Sequence, residues 1–136
     1  MLREIDIEAV VDRLPGVNDF VNECLEGMDC SPKALMQVEL AVEEIFMNIA
    51  SYAYKPNTGR AVVRVETADA PPSVTITFID RGVPYDPLAK RDPDTTLSAD
   101  EREIGGLGIF MVKKTMDDMT YEYKDGQNIL TIKKNL

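Results

Sequence analysis

Val74-Thr-Ile-Thr-Phe-Ile-Asp80-Arg-Gly-Val-Pro-Tyr-Asp-Pro87 is the stretch on which the reading of this chain turns. Alternating β-branched and aromatic residues mark a strand, and the strand delivers a carboxylate at its end before breaking at Gly82. Such a carboxylate can accept a hydrogen bond from a purine amino group, and glycine permits the sharp exit that leaves room for the base. Further on, Gly105-Gly-Leu-Gly108 opens an apolar helical pattern through Ile109, Phe110, Val112 and Met116. Glycines at a helix entry bring backbone N–H groups close to phosphates. Each pattern also fits a plainer cause, a turn aspartate in one case and tight helix packing in the other.

Working back toward the N-terminus, Ala61–Glu66 is a second β-rich run, joined to Val74–Ile79 by Asp69-Ala-Pro-Pro-Ser73. Before it, Ser31-Pro32 reads as an N-cap and first-turn proline. The helix it opens carries an apolar face through Leu35, Val38, Val42, Ile45, Ile49 and Tyr52, and Lys55-Pro56-Asn57-Thr58-Gly59 ends it. An earlier helix is expected over Val17–Met28, and a short strand at residues 3–7. Toward the C-terminus, the helix of Gly106–Met119 precedes strands at Tyr121–Tyr123 and Ile129–Ile132, joined across Asp125-Gly126, a pair suited to positive φ. The order β, α, α, β, β, loop, α, β, β predicts an α+β fold. Its form is a two-layer α/β sandwich, a mostly antiparallel mixed sheet with helices on one face. One domain over 1–136 is expected. Residues 83–105 form the long connection, and a connection of that length reads as a nucleotide lid or a disordered segment.

Composition narrows the chemistry. The chain has 136 residues, a net charge of −9 and no histidine. Histidine-dependent triads, histidine metal sites and phosphohistidine relays are thereby excluded. Scattered basic residues argue against a nucleic-acid backbone as partner. No stretch approaches the ~20 apolar residues of a membrane span, and no leader pattern stands at the N-terminus, so a cytoplasmic protein without a membrane partner is expected. Cys24 and Cys30 show no metal-binding spacing. Cys24 falls in the apolar series of its helix and reads as core.

On the long helix, Glu44 and Asn48 lie one turn apart, within about 40° of each other and at the edge of the apolar stripe. Glu43 and Glu39 turn toward solvent. The pair could be an ordinary polar couple on a helix surface. Beside a nucleotide, the asparagine carbonyl suits magnesium already held by triphosphate oxygens and water. The carboxylate could then deprotonate a hydroxyl attacking the terminal phosphate.

In order, Glu44-Ile-Phe-Met-Asn48, Asp80–Pro87 and Gly105–Phe110 resemble the N box and two glycine boxes of the histidine-kinase-like ATPase superfamily. Within it, Ala41-Val-Glu-Glu44, the Tyr-Asp-Pro ending and Met116-Asp-Asp resemble the anti-sigma-factor serine/threonine kinases. The resemblance spans residues from about 5 to 134. It implies a Bergerat ATP fold using ATP and Mg2+, with Glu44 as catalytic base, Asn48 as magnesium ligand and Asp80 on the adenine amino group. Gly82, Tyr85, Arg102, Gly105, Gly106, Leu107, Gly108 and Thr131 would complete the nucleotide site. It further implies a homodimer that phosphorylates a serine of a STAS-domain anti-anti-sigma factor and sequesters a sigma factor. The alternative is a nucleotide-binding partner-switch module that sequesters a protein without phosphotransfer. Two positions depart from the pattern. Tyr52 stands where many relatives carry histidine, and Ile104 stands where some carry an arginine for the terminal phosphate, with Arg102 two residues before it.

Overall fold

The computed structural model describes residues 1–88 and 106–136. Strands β1 (Leu2–Glu8), β2 (Arg60–Asp69), β3 (Pro72–Asp80), β4 (Asp118–Lys124) and β5 (Gln127–Asn135) form one sheet in the order β1-β2-β3-β5-β4. Helices α1 (Leu14–Leu25), α2 (Pro32–Asn48) and α3 (Gly106–Thr115) cover one of its faces. The two-layer α+β sandwich is as expected. Among the described residues every strand pair is antiparallel, so the sheet is not mixed.

The period of two in the strands determines what faces the helices. Ala61, Val63 and Val65 of β2 stand beside Asp80, Phe78 and Ile76 of β3, which stand beside Asn128, Leu130 and Ile132 of β5. All nine are buried. Val38, Val42, Ile45 and Phe46 of α2 and Val17, Phe20 and Val21 of α1 close over them in one core. Each large apolar side chain so buried contributes roughly 1.5–3 kcal/mol. Asp80 and Asn128 are therefore polar residues in core-facing register at one end of the sheet.

Local signals set the element ends. Ser31 caps α2, its Oγ accepting from the Ala34 N–H at 3.1 Å. Gly27, at φ +78°, follows the end of α1, which stops at Leu25, short of the expected Met28. Asp125 and Gly126 take φ of 54° and 77° in the β4–β5 turn, as Asp-Gly predicts. The third helix stops at Thr115 rather than Met119. Its end is held from β5, where Lys134 Nζ donates to Thr115 O at 2.7 Å and Asn135 N donates to Asp117 Oδ2 at 2.6 Å. The chain then enters β4 at Asp118.

The long helix also departs from uniform α geometry. After Asn48 it widens into a π-helical turn over Ile49–Ala53. Wide turns of this kind are rare and cluster at functional sites. Here Ile49 stays buried, while Tyr52 is carried outward to 49 % exposure at the sheet end that holds Asp80.

Candidate functional site

A cavity of about 320 Å³ opens where α2 and its π turn, α3, the ends of β3 and β5, and the segment after Asp80 meet. That volume lies at the small end of ligand sites. Its wall is mostly apolar, with Ile45, Ile49, Phe78, Ile109 and Leu130, and the polar groups are Asn48, Asp80, Tyr121 and Asn128. Tyr52, Ala53, Val83, Tyr85 and Pro87 complete the lining.

Asp80 is 6 % exposed. Its Oδ1 accepts from Gly82 N and from Asn128 Nδ2, both at 2.9 Å, while among the described residues Oδ2 has no partner. Burial raises its pKa above the ordinary value of 3.8, and the two hydrogen bonds oppose that rise. The result is a desolvated carboxylate with one oxygen left to accept.

The strand exit is docked onto the π turn by backbone. Val83 N donates to Ala53 O at 2.9 Å. A Cβ at Gly82 would lie 2.2 Å from that same carbonyl oxygen, so only glycine lets the two backbones approach this closely. Tyr54 adds a clip, its hydroxyl donating to Arg60 O at 2.6 Å and accepting from Arg81 N at 2.7 Å. These contacts fix the direction in which residues 82–87 leave β3.

Glu44 stands beside the cavity rather than in its wall. A Cβ at Gly108 would fall 2.1 Å from its Cδ, so the carboxyl group rests on the bare Cα of that glycine. Asn48 Nδ2 donates to Glu44 Oε1 at 3.5 Å, which leaves the asparagine carbonyl oxygen outside that pairing. Burial raises the Glu44 pKa above 4.5, with the Asn48 hydrogen bond opposing and the charge of Glu43 adding to it. A carboxylate so poised is a better base near neutral pH than an exposed one.

The expected residues thus divide into four groups. Asn48, Asp80 and Tyr85 come together in the cavity, Gly82 shapes its edge, and Glu44 meets Gly108 at its side. Gly106 and Leu107 lie in the first turn of α3. Arg102 and Gly105, with the rest of the expected lid over 89–105, fall outside the described residues. Thr131 is a correction: it faces the outer side of the sheet, where its Oγ1 meets Thr77 Oγ1 at 3.4 Å. Alternation along β5 sends 128, 130 and 132 inward and 131 outward.

The inward polar residue of β5 is Asn128, which the sequence reading did not select. Besides Asp80, its Nδ2 donates to Val83 O at 2.9 Å, and its Oδ1 accepts from Tyr85 N at 3.1 Å and from the Tyr121 hydroxyl. Its signal in the sequence was a carboxamide in the same parity as Leu130 and Ile132.

Residues 7–134 match the model of the histidine kinase-like ATPase domain. The chain belongs to that family. It is similar to the serine/threonine-protein kinase BtrW of Bordetella bronchiseptica, 28% identical over 102 residues, 75% of this chain and 71% of BtrW. The serine-protein kinase RsbW of Listeria monocytogenes is 25% identical over 107 residues, 76% of this chain and 68% of RsbW. In fold, the chain matches a structure of the RsbU and RsbW domains of Rv1364c from Mycobacterium tuberculosis at a TM-score of 0.69 and 17% identity. The match covers all of this chain and 32% of that one. The ATPase-domain fold is thus shared well beyond the range of obvious sequence likeness.

Proposed function

We propose that this histidine kinase-like ATPase domain binds ATP and transfers its γ-phosphate to a serine of a STAS-domain anti-anti-sigma protein. In this reading it also holds a sigma factor inactive, works in the cytoplasm and is a homodimer. The observation that carries the proposal is Asp80, a buried carboxylate with one open oxygen in a mostly apolar cavity that Asn48 also lines. An apolar slot with a buried acceptor in its wall suits the flat face and amino group of adenine. The kinship with BtrW and RsbW, both named as protein kinases, supports the transfer step.

Among the described residues no group of three or more Asp, Glu, Cys or His side chains could hold a metal ion. A magnesium ion here would accordingly take most of its ligands from phosphate oxygens and water, with the Asn48 carbonyl as the protein's contribution. When bound, the ion neutralises charge on the phosphates during transfer. Asn48 would hold the Glu44 carboxyl through its Nδ2. Glu44 would accept the proton of the incoming serine hydroxyl, and Gly108 would leave space for that carboxyl.

Calorimetric titration with ATP and ADP, with and without magnesium, tests the site on the natural chain and on Asp80→Asn. Magnesium-dependent ATP binding that Asp80→Asn weakens is expected. A well-folded natural chain that binds neither nucleotide would overturn the proposal. Glu44→Gln tests the transfer step, and retained ATP affinity with lost transfer is the expected result.

A further inference from the structure

We infer that Asn128 is a specificity-determining residue which closes one oxygen of Asp80, so that the site takes a base offering one donor and rejects a base offering two. The inference rests on the nucleotide reading above and extends it to how the base edge is chosen.

Hydrogen-bonding capacity decides which base edge Asp80 can meet. Asn128 is 6 % exposed and stands beside Asp80 in the β3–β5 register. A carboxamide has two N–H donors and two acceptor lone pairs. The donors go to Asp80 Oδ1 at 2.9 Å and Val83 O at 2.9 Å, with Gly82 O further off at 3.4 Å. The acceptor oxygen receives Tyr85 N at 3.1 Å and the Tyr121 hydroxyl. Because Asp80 Oδ1 and Val83 O can only accept and Tyr85 N can only donate, the amide has one orientation. All four capacities are used, and Asn128 has nothing left to offer a ligand. Its influence passes through Asp80.

An ionised carboxylate has about two acceptor sites on each oxygen. Both sites of Asp80 Oδ1 are filled, by Gly82 N and by Asn128 Nδ2. Only Oδ2 remains. Adenine presents a single exocyclic amino donor on its Watson–Crick edge, flanked by a ring acceptor. Guanine presents a ring N–H and a 2-amino group side by side, a fork that needs both carboxylate oxygens. With Oδ1 closed, one prong of that fork would be buried without an acceptor, which costs about ten- to a hundredfold in affinity. Removing Asn128 would return one site on Oδ1 and admit the fork.

The test compares ATP, GTP and ITP, each with magnesium, by calorimetry on the full chain and on Asn128→Ala, with thermal denaturation alongside. ITP keeps the ring N–H of GTP and lacks its 2-amino group. The natural chain is expected to bind ATP at least tenfold tighter than GTP, and GTP no tighter than ITP. In Asn128→Ala, GTP should gain about tenfold over ITP. General loosening of the segment after Asp80 would weaken all three nucleotides together and leave the GTP-to-ITP ratio unchanged. A natural chain that binds GTP tenfold tighter than ITP would overturn the inference, as would a folded Asn128→Ala with an unaltered ratio. If Asn128→Ala does not fold, the comparison of GTP with ITP on the natural chain decides alone. ATP binding with the wrong ratio sinks only the role of Asn128, whereas no binding of any nucleotide sinks the parent reading as well.

Discussion

Gly108→Ala should leave the fold nearly unchanged and cripple phosphate transfer. The new Cβ would sit 2.1 Å from Glu44 Cδ and Oε1, whereas ordinary contact begins at 3.4 Å. The carboxyl group must therefore retreat by about 1.3 Å, and as the far end of a flexible side chain it can do so. Forcing Glu44 off its rotamer costs about 0.5–1.5 kcal/mol. Replacing glycine by alanine within a helix returns roughly 0.5–1 kcal/mol. The two nearly cancel, so the midpoint of thermal unfolding should move by less than about 4 °C. Transfer is another matter, because a misplacement of about 1 Å can cost roughly a hundredfold and loss of a general base about 10²- to 10⁴-fold. The assay is the initial rate of labelled phosphate transfer from ATP to the STAS-domain partner, with calorimetric ATP affinity and thermal denaturation as controls. A fall of about a hundredfold or more in rate is expected, with ATP affinity changed less than tenfold. Since the loss acts through Glu44, adding Gly108→Ala to Glu44→Gln should cost little more. If the two losses simply multiply, or the folded variant transfers phosphate at the normal rate, the link between Gly108 and the base is wrong.

Gly82→Ala, the same chemical change, should behave in the opposite way. Its Cβ would meet backbone, at 2.2 Å from Ala53 O and 2.6 Å from Ala53 C, so an overpacking cost of about 1–3 kcal/mol is expected, read as a drop of several degrees in the unfolding midpoint. Asp80→Asn keeps an Oδ1 acceptor for Gly82 N and Asn128 Nδ2 but removes the charge, so calorimetry should show ATP affinity falling about 10- to 150-fold. The unliganded variant should nevertheless be more stable. The folded pKa of Asp80 lies above the ordinary 3.8, so its charge penalises the fold above that folded pKa and the penalty vanishes below 3.8. Thermal scans should therefore show the advantage of Asp80→Asn growing as pH rises through the folded pKa, and a constant advantage would contradict this. The transfer rate should rise with pH along a limb set by Glu44 and displaced above 4.5, and that limb should be missing in Glu44→Gln.

Several features of the fold were legible because their causes are local. A serine cap, the Asp-Gly turn, the period-two runs and the apolar stripe of α2 each depend on residues within a turn or two, and each appears where the sequence places it. Element ends were less legible. Loss of apolar period alone does not show where α3 stops, because the groups that hold its end come from Lys134 and Asn135 on β5.

Sequence alone thus determined the order of elements, the α+β sandwich, the placing of Asp80 at a strand end and the placing of Glu44 and Asn48 one turn apart on a helix. Tertiary structure decided which atoms meet. Residues 129, 130 and 132 are all apolar, so the face of β5 was ambiguous until pairing with β3 fixed its register, turning Thr131 outward and Asn128 toward Asp80. The contact of Glu44 with Gly108, and of Gly82 with the π turn, likewise joins distant parts of the chain. Local periodicity reports which side of an element is apolar. Hydrogen bonds between residues 80 and 128 depend instead on how the strands align, which the packing of the whole core determines.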